Sequence, residues 1–345
     1  MNLSTRNSRR GEEGIALIYV AVFLLVSLWF VSLAIDVGKI MAAKTELQAA
    51  ADAAALAGAS ALDPDTGELD NDLAKARAAG AASSNKAYES VKTAVIIDPD
   101  TDVEFPATRQ VKVSVYRNED HDNPVLLHFA QTLGLPRIGV QANATAEVAP
   151  LIGVCEGLAP FAPEQPPYGD FSKDCDSTYT LKLGAGGSTS GNFQLLDYPN
   201  CEEGPPPNGG GASEIKYYII NGWDCCFKIG DLIEVDTAPG NKVGPVRQGM
   251  DTRFNNDTDK RENICHEEYT GNQQRVFLCP IIKDFMVNGK KEVQILKFAA
   301  FFMKAKPDDL NKKGIQAQFI DYIAPGIVGD IPPDSTSVFG VHLIE

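Results

Sequence analysis

Charge is absent from the 21 residues between Ile15 and Ile35 (IALIYVAVFLLVSLWFVSLAI) of this 345-residue chain. As a helix rising about 1.5 Å per residue, such a run reaches roughly 30 Å, the thickness of a bilayer's hydrocarbon layer. The absence excludes an ordinary water-facing helix and predicts a membrane span. Cysteine is equally absent before position 155. All seven (Cys155, Cys175, Cys201, Cys225, Cys226, Cys265, Cys279) then follow by position 279.

Basic residues are scarce, 31 Lys and Arg against 46 Asp and Glu, for a net charge of −15. Nucleic-acid phosphates require a basic stripe, so no nucleic-acid partner is expected. There is no CxxC pair, and only His266 adjoins a cysteine, which leaves zinc without a ligand set. The glycine-rich loop from Gly184 to Gly191 lacks the Gly-Lys-Ser/Thr ending of a phosphate cradle and reads as a strand connection.

Candidates for chemistry are few. Asp98, Asp100, Asp102 and Glu104 alternate as carboxylates that calcium, an oxygen-seeking ion, would suit. The glycine and distal glutamate of an EF-hand loop are missing, so a solvated acidic turn is expected and no cofactor is assigned. Cys265 and His266 are adjacent, but consecutive side chains diverge, whereas a nucleophile and its base must converge. His121, His128 and His342 share no spacing with a nucleophile. A non-enzymatic protein is the expectation.

The flanks of the apolar run orient it. Arg6, Arg9 and Arg10 precede it and Asp36 follows at once, which places the N-terminus in the cytoplasm and the bulk outside. A cleaved signal peptide is the rival reading. The run is longer than such a signal's apolar region, and Ala34-Ile35-Asp36 makes a poor cleavage site. Clustered cysteines beyond the span fit an oxidising, exported location. Seven is odd, so one thiol stays free or pairs between chains. The adjacent Cys225 and Cys226 predict separate partners, and Cys265 with Cys279, closing a short excursion, is the preferred pair.

Composition divides the chain into a cytoplasmic N-terminus (1–14), a transmembrane helix (15–35), an alanine-rich stalk helix (36–62), a small α+β unit (63–150) and a cysteine-containing β-rich domain (151–345). In the stalk, Leu47, Ala51, Ala54, Gly58 and Leu62 form a narrow seam of mostly small side chains on one helical face. Such a seam admits a close helix, either a partner's within a membrane assembly or an element of the same protein. Asp52 lies off the seam.

Asp63-Pro64-Asp65-Thr66-Gly67 ends the stalk with turn chemistry. A second helix is expected over Leu69 to Val95. Strands are expected at Val103 to Phe105, Val111 to Val115 and Val140 to Val148, and a short helix at Leu126 to Leu133. Beyond 150, Thr178 to Leu183, Ile215 to Ile220, Phe227 to Val235, Val293 to Met303 and Ile315 to Ile323 read as strands separated by Pro and Gly clusters such as Gly204 to Gly211. The fold class expected is α+β, its distal part mostly antiparallel.

Arg9-Arg10-Gly11-Glu12-Glu13-Gly14, the span, Asp36-Val37-Gly38 and the stretch LQAAADAAALAGA from Leu47 to Ala59 together resemble the N-terminal signature of the TadE/TadG-like family. Members serve the Tad (tight adherence, Flp) pilus-assembly machinery of bacteria. The resemblance implies a single-pass inner-membrane component acting in pilus assembly or secretion, with other machinery subunits as partners, and no catalysis; self-association is a further partner expectation. TadE-type members resemble prepilins with an early glutamate in the apolar run. This chain has none between Gly14 and Ile35, so it is more similar to TadG-like proteins. Asp334-Ser335-Thr336-Ser337-Val338 departs from the Asp-x-Ser-x-Ser metal motif of the von Willebrand A domain that some members carry. The alternative function is an anchored extracytoplasmic adhesin or binding module.

Overall fold

The apolar run and the alanine-rich run contain no proline, and helix propensity carries one into the other. They form a single helix, α1 (Arg9–Ala59), 51 residues long. The computed structural model describes residues 9–87, 93–167, 170–185, 187, 192–198, 212–230, 236–239, 241–283, 292–331 and 336–344.

After α1 come α2 (Asn71–Ser84), β1 (Lys86–Ala87), β2 (Thr93–Ala94), β3 (Val103–Glu104), β4 (Gln110–Arg117) and β5 (Val125–Leu126). A 3-10 turn (Ala130–Leu133), β6 (Arg137–Ile138) and the long β7 (Val140–Val154) follow. The rest runs β8 (Tyr179–Lys182), β9 (Asn192–Asp197), α3 (Ala212–Asn221), β10 (Phe227–Lys228), β11 (Asp236–Pro239), α4 (Val243–Asn256) and a 3-10 turn (His266–Glu268). It closes with β12 (Val276–Ile282), β13 (Ile295–Phe302), β14 (Ile315–Ile320), β15 (Tyr322–Ile323), β16 (Gly326–Val328) and β17 (Val338–Ile344).

Strand β7 organises the molecule. It pairs antiparallel with β4 (Val113 opposite Ala144) and with β17 (Val341 opposite Val148), and its distal end also takes β10 and β16. A second sheet has the order β12-β13-β14-β8, and β15 with β17 is a parallel pair. The architecture is α+β with mainly antiparallel pairing, as the sequence pattern indicates. One core lies where α1 and α2 cover β4 and β7. Two further clusters begin at Leu151 and Ala159 and fill the space around the second sheet, α3 and α4.

Several expected elements have other bounds or another type. The stalk helix ends at Ala59, and Leu62 bridges Leu69 beyond it. Helix α2 stops at Ser84 instead of reaching Val95: Asn85 turns extended at ψ 144° with its N–H on the Ala82 carbonyl, Lys86–Ala87 pair with Thr93–Ala94, and 88–92 lie outside the described residues. The helix expected at Leu126 to Leu133 is reduced to the 3-10 turn, closed by Gly134 at φ +83°. The strand expected from Val140 to Val148 continues to Val154.

Ile215 to Ile220, read as a strand from its β-branched and aromatic content, belongs to α3. Ile215, Tyr218 and Ile219 are buried at helical spacing, and Gly222 at φ +82° follows the helix end. Of the strand expected at Phe227 to Val235, only Phe227–Lys228 is a strand, and 231–235 lie outside the described residues. So do Gly204 to Gly211, Asp334 and Ser335.

Candidate functional site: the anchor helix and its attachments

The stalk half of α1 owes its packing to small side chains. Leu47, Ala51 and Ala54 are fully buried, and Gly58 is buried with them. A Cβ on Gly58 would meet Val111 Cγ1 at 2.9 Å and Ala78 Cβ at 3.5 Å. Only glycine there lets α2 and the β4–β7 sheet close on α1 at this distance. Within the chain, the seam packs against α2 and the β4–β7 sheet. Asp52 accepts from Gln48 Nε2 at 2.8 Å, and the same amide donates to the Asn143 carbonyl on β7 at 3.0 Å.

The apolar half of α1 is different. Leu17 is 73% exposed, and Phe23, Trp29 and Phe30 are exposed with it. This is the one helix among the described residues that is long and apolar enough to cross a membrane. Where the two halves meet, Asp36 is buried and accepts the backbone N–H groups of His128, Phe129 and Ala130 at 2.9, 2.9 and 2.7 Å. One carboxylate thus anchors the 3-10 turn segment to the boundary between the two halves of the helix.

A second attachment holds the turn after α1. Asp63 Oδ1 accepts from Asp65 N at 2.8 Å, an Asx turn that closes with Gly67 at φ +75°. Arg109 donates to the Gly67 carbonyl from Nε at 3.0 Å and Nη2 at 2.7 Å, while its guanidinium lies 4.4 Å from the Phe339 ring centre. Lys173 bridges the Thr66 carbonyl at 3.2 Å and Asp321 Oδ2 at 2.6 Å. Asp321 N–H donates to the Pro64 carbonyl at 2.7 Å, and His266 Nδ1 lies 3.3 Å from Asp65 Oδ1.

Disulfides brace this clamp. Cys175 is bonded to Cys265, so the segments bearing Lys173 and His266 are covalently joined beside the turn. Cys155 is bonded to Cys226, and Cys225 is also disulfide-bonded. The expected Cys265–Cys279 pair does not form. Cys279 sits in the middle of β12, wholly buried and free, on a strand whose neighbours Ala299 and Phe301 belong to the core. Burial pushes its thiol pKa far up, which suppresses the reactive thiolate. Cys201 lies outside the described residues.

The other candidates for chemistry are dispersed. Cys265 has no free thiol to offer His266. Asp100 pairs with Lys75 and Glu104 with Lys112, each at 2.8 Å, while buried Asp102 accepts the Asp98 N–H at 2.8 Å. Among the described residues, no group of three or more His, Cys, Asp or Glu is arranged to hold a metal ion. His121 stacks on Tyr116, and His128 faces Lys39 Nζ at 2.7 Å. Sequence reasoning missed the roles of Asp36, Arg109, Lys173 and Asp321. Asp36 alone carried a signal, as the first charge after the apolar run.

Residues 14–61, nearly the whole of α1 and the two positions after it, match the Tad family, described as Flp pilus-assembly TadE/G-like. No curated protein and no solved structure matches the chain. The matched segment holds both the exposed apolar half and the buried seam.

Proposed function

We propose that this chain is a non-catalytic, single-pass component of a bacterial Tad/Flp-type pilus assembly or secretion apparatus. In this reading the apolar half of α1 sits in the inner membrane, the N-terminus is cytoplasmic and the disulfide-bonded bulk is extracytoplasmic. The observation that carries it is the pilus-assembly family match falling on α1. Support for the orientation comes from Arg9 and Arg10 on one side of the apolar run and disulfides on the other.

With the seam filled from within, partner subunits are reached through the exposed residues of the span or the surface of the distal sheets. The attachments at Asp36 and at the Asp63–Gly67 turn make α1 and the bulk one mechanical unit, as a scaffold requires. Crosslinking the full-length protein in native membranes and identifying the recovered chains tests the assignment. Recovery of pilus secretion subunits is expected. Recovery of this chain alone would replace the scaffold by an anchored binding module.

A further inference from the structure

The segment Val125 to Val140 presents apolar side chains outward where soluble proteins usually place polar ones. Leu133 is 63% and Leu135 61% exposed, with Leu126, Phe129 and Ile138 also exposed. The segment contains no Asp or Glu. It does not stand apart from the apolar helix. Phe129, Thr132 and Leu133 form one wall of a groove of about 290 Å³ whose other wall is Leu25, Trp29 and Leu33 of α1.

Position along the helix fixes depth. Leu25 precedes the Asp36 staple by eleven residues, or about 16 Å at the α-helical rise. The segment therefore runs from Asp36 down along the half of the span nearest the bulk. Backbone polarity would normally forbid an irregular loop at that depth, because hydrocarbon offers no partner to an unpaired N–H. Here the amides are largely provided for. Three donate to Asp36, and those of Leu127, Thr132, Gly134 and Leu135 donate to the carbonyls of Pro136, Phe129, Gln131 and Ala130.

The charges bordering the segment suit a headgroup layer. Lys39 faces His128 at its start, and Arg137, beside Glu119 at 3.3 Å, lies near its end. An apolar surface with Lys39 at one edge and the Arg137–Glu119 pair at the other places its charges where a headgroup layer would lie.

We propose that the Val125–Val140 segment is a second membrane contact: a compact loop, stapled to α1 by Asp36, that embeds Leu133 and Leu135 in the bilayer leaflet facing the bulk of the protein. The proposal rests on the reading of α1 as a membrane span. The loop would fix the height and rotation of the bulk above the bilayer, which one helix alone leaves free.

Depth-dependent quenching in the full-length protein tests it. Single cysteines replace Leu133, Val22 in the span, or Lys312, whose side chain is 83% exposed. Each is labelled with an environment-sensitive fluorophore, labelling is assigned by peptide mass, and the protein is reconstituted in phosphatidylethanolamine/phosphatidylglycerol vesicles. Nitroxide-bearing lipids are expected to quench positions 133 and 22 severalfold and leave 312 unaffected, with 133 most sensitive to shallow nitroxides. Quenching at 22 but not at 133 would overturn the loop contact and preserve the anchor. If 133 then crosslinks to a second chain, its occupant is protein. Quenching at neither position would overturn both the span and the loop.

Discussion

Asp36 Oδ2 accepts the backbone N–H of Ala130 at 2.7 Å across 94 positions of sequence, joining the end of an apolar run to a loop far along the chain. The same carboxylate serves His128 and Phe129. Removing it leaves part-buried donors without acceptors, at up to about 1–3 kcal/mol for each group that finds no substitute. Asp36→Ala is therefore expected to destabilise the protein by about 1–3 kcal/mol and Asp36→Asn by less, as read by urea unfolding in detergent. Hydrogen exchange supplies the specific readout: amides 128 to 130 should lose protection while β4 and β7 keep theirs. Unchanged protection at 128 to 130 would show that the staple is dispensable.

Gly58 sets the separation of α1 from β4 and α2. Overpacking a filled site typically costs about 1–3 kcal/mol. Gly58→Leu should fall in that range or above, because the nearest obstacle, Val111 Cγ1 at 2.9 Å, belongs to a β-branched side chain with little freedom to move. Ala49→Leu, at an exposed position of the same helix about two and a half turns earlier, should change stability by about 0.5 kcal/mol or less. Thermal melts of both variants check the contrast. Loss of pilus assembly in Gly58→Leu would consequently report a damaged fold before it reported a lost partner.

The Cys175–Cys265 bond spans 90 positions, and closing a loop of that size contributes about 2–5 kcal/mol. The double substitution Cys175→Ser with Cys265→Ser is expected to lower the unfolding free energy by an amount in that range. It should also loosen the clamp, since Lys173 and His266 lie beside the two cysteines and both hold the turn after α1. Limited proteolysis should then cut within Asp63–Gly67 faster than in the parent. Equal cleavage rates would separate the disulfide from the clamp.

These elements differ in how far sequence reveals them. Helix α1 is legible because its signals are local: an uncharged run, then alanine without proline. Strand β4 is legible because Val111, Val113 and Val115 alternate with Lys112 and Ser114; the three valines are buried, and Ser114 on the other face is buried as well. The seam could be recognised from Leu47, Ala51, Ala54 and Gly58, but its occupants, Val111 and Ala78, are brought there by tertiary structure.

Composition misleads at α3, where Ile and Tyr suggest a strand while the spacing of the buried residues and the Asn221-Gly222 ending are helical. Helix α4 hides Val246, Met250 and Phe254, spaced by four, among Gly244, Pro245 and Gly249. The attachments at Asp36 and Asp63–Gly67 join distant segments through single polar groups, and no local pattern marks them.

Acid is expected to weaken the fold at Asp259. Asp259 accepts from Arg261 Nη2 at 2.6 Å, from Arg261 Nε at 3.0 Å and from the Thr270 N–H at 3.1 Å. The guanidinium is the main reason its carboxyl pKa lies well below the ordinary range; the backbone donors add to this and outweigh the opposing effect of desolvation. The unfolded carboxyl, titrating near pH 4, binds its proton at higher pH than the folded one. The contribution of this group to stability is therefore present above about pH 4 and declines as pH falls toward the folded pKa. Asp259→Asn should be less stable than the parent at pH 6, and the gap between their urea midpoints should narrow as the pH is lowered through that window. A gap that stays constant from pH 6 to about pH 3 would show that ionisation of Asp259 is not what holds the Arg261–Thr270 loop.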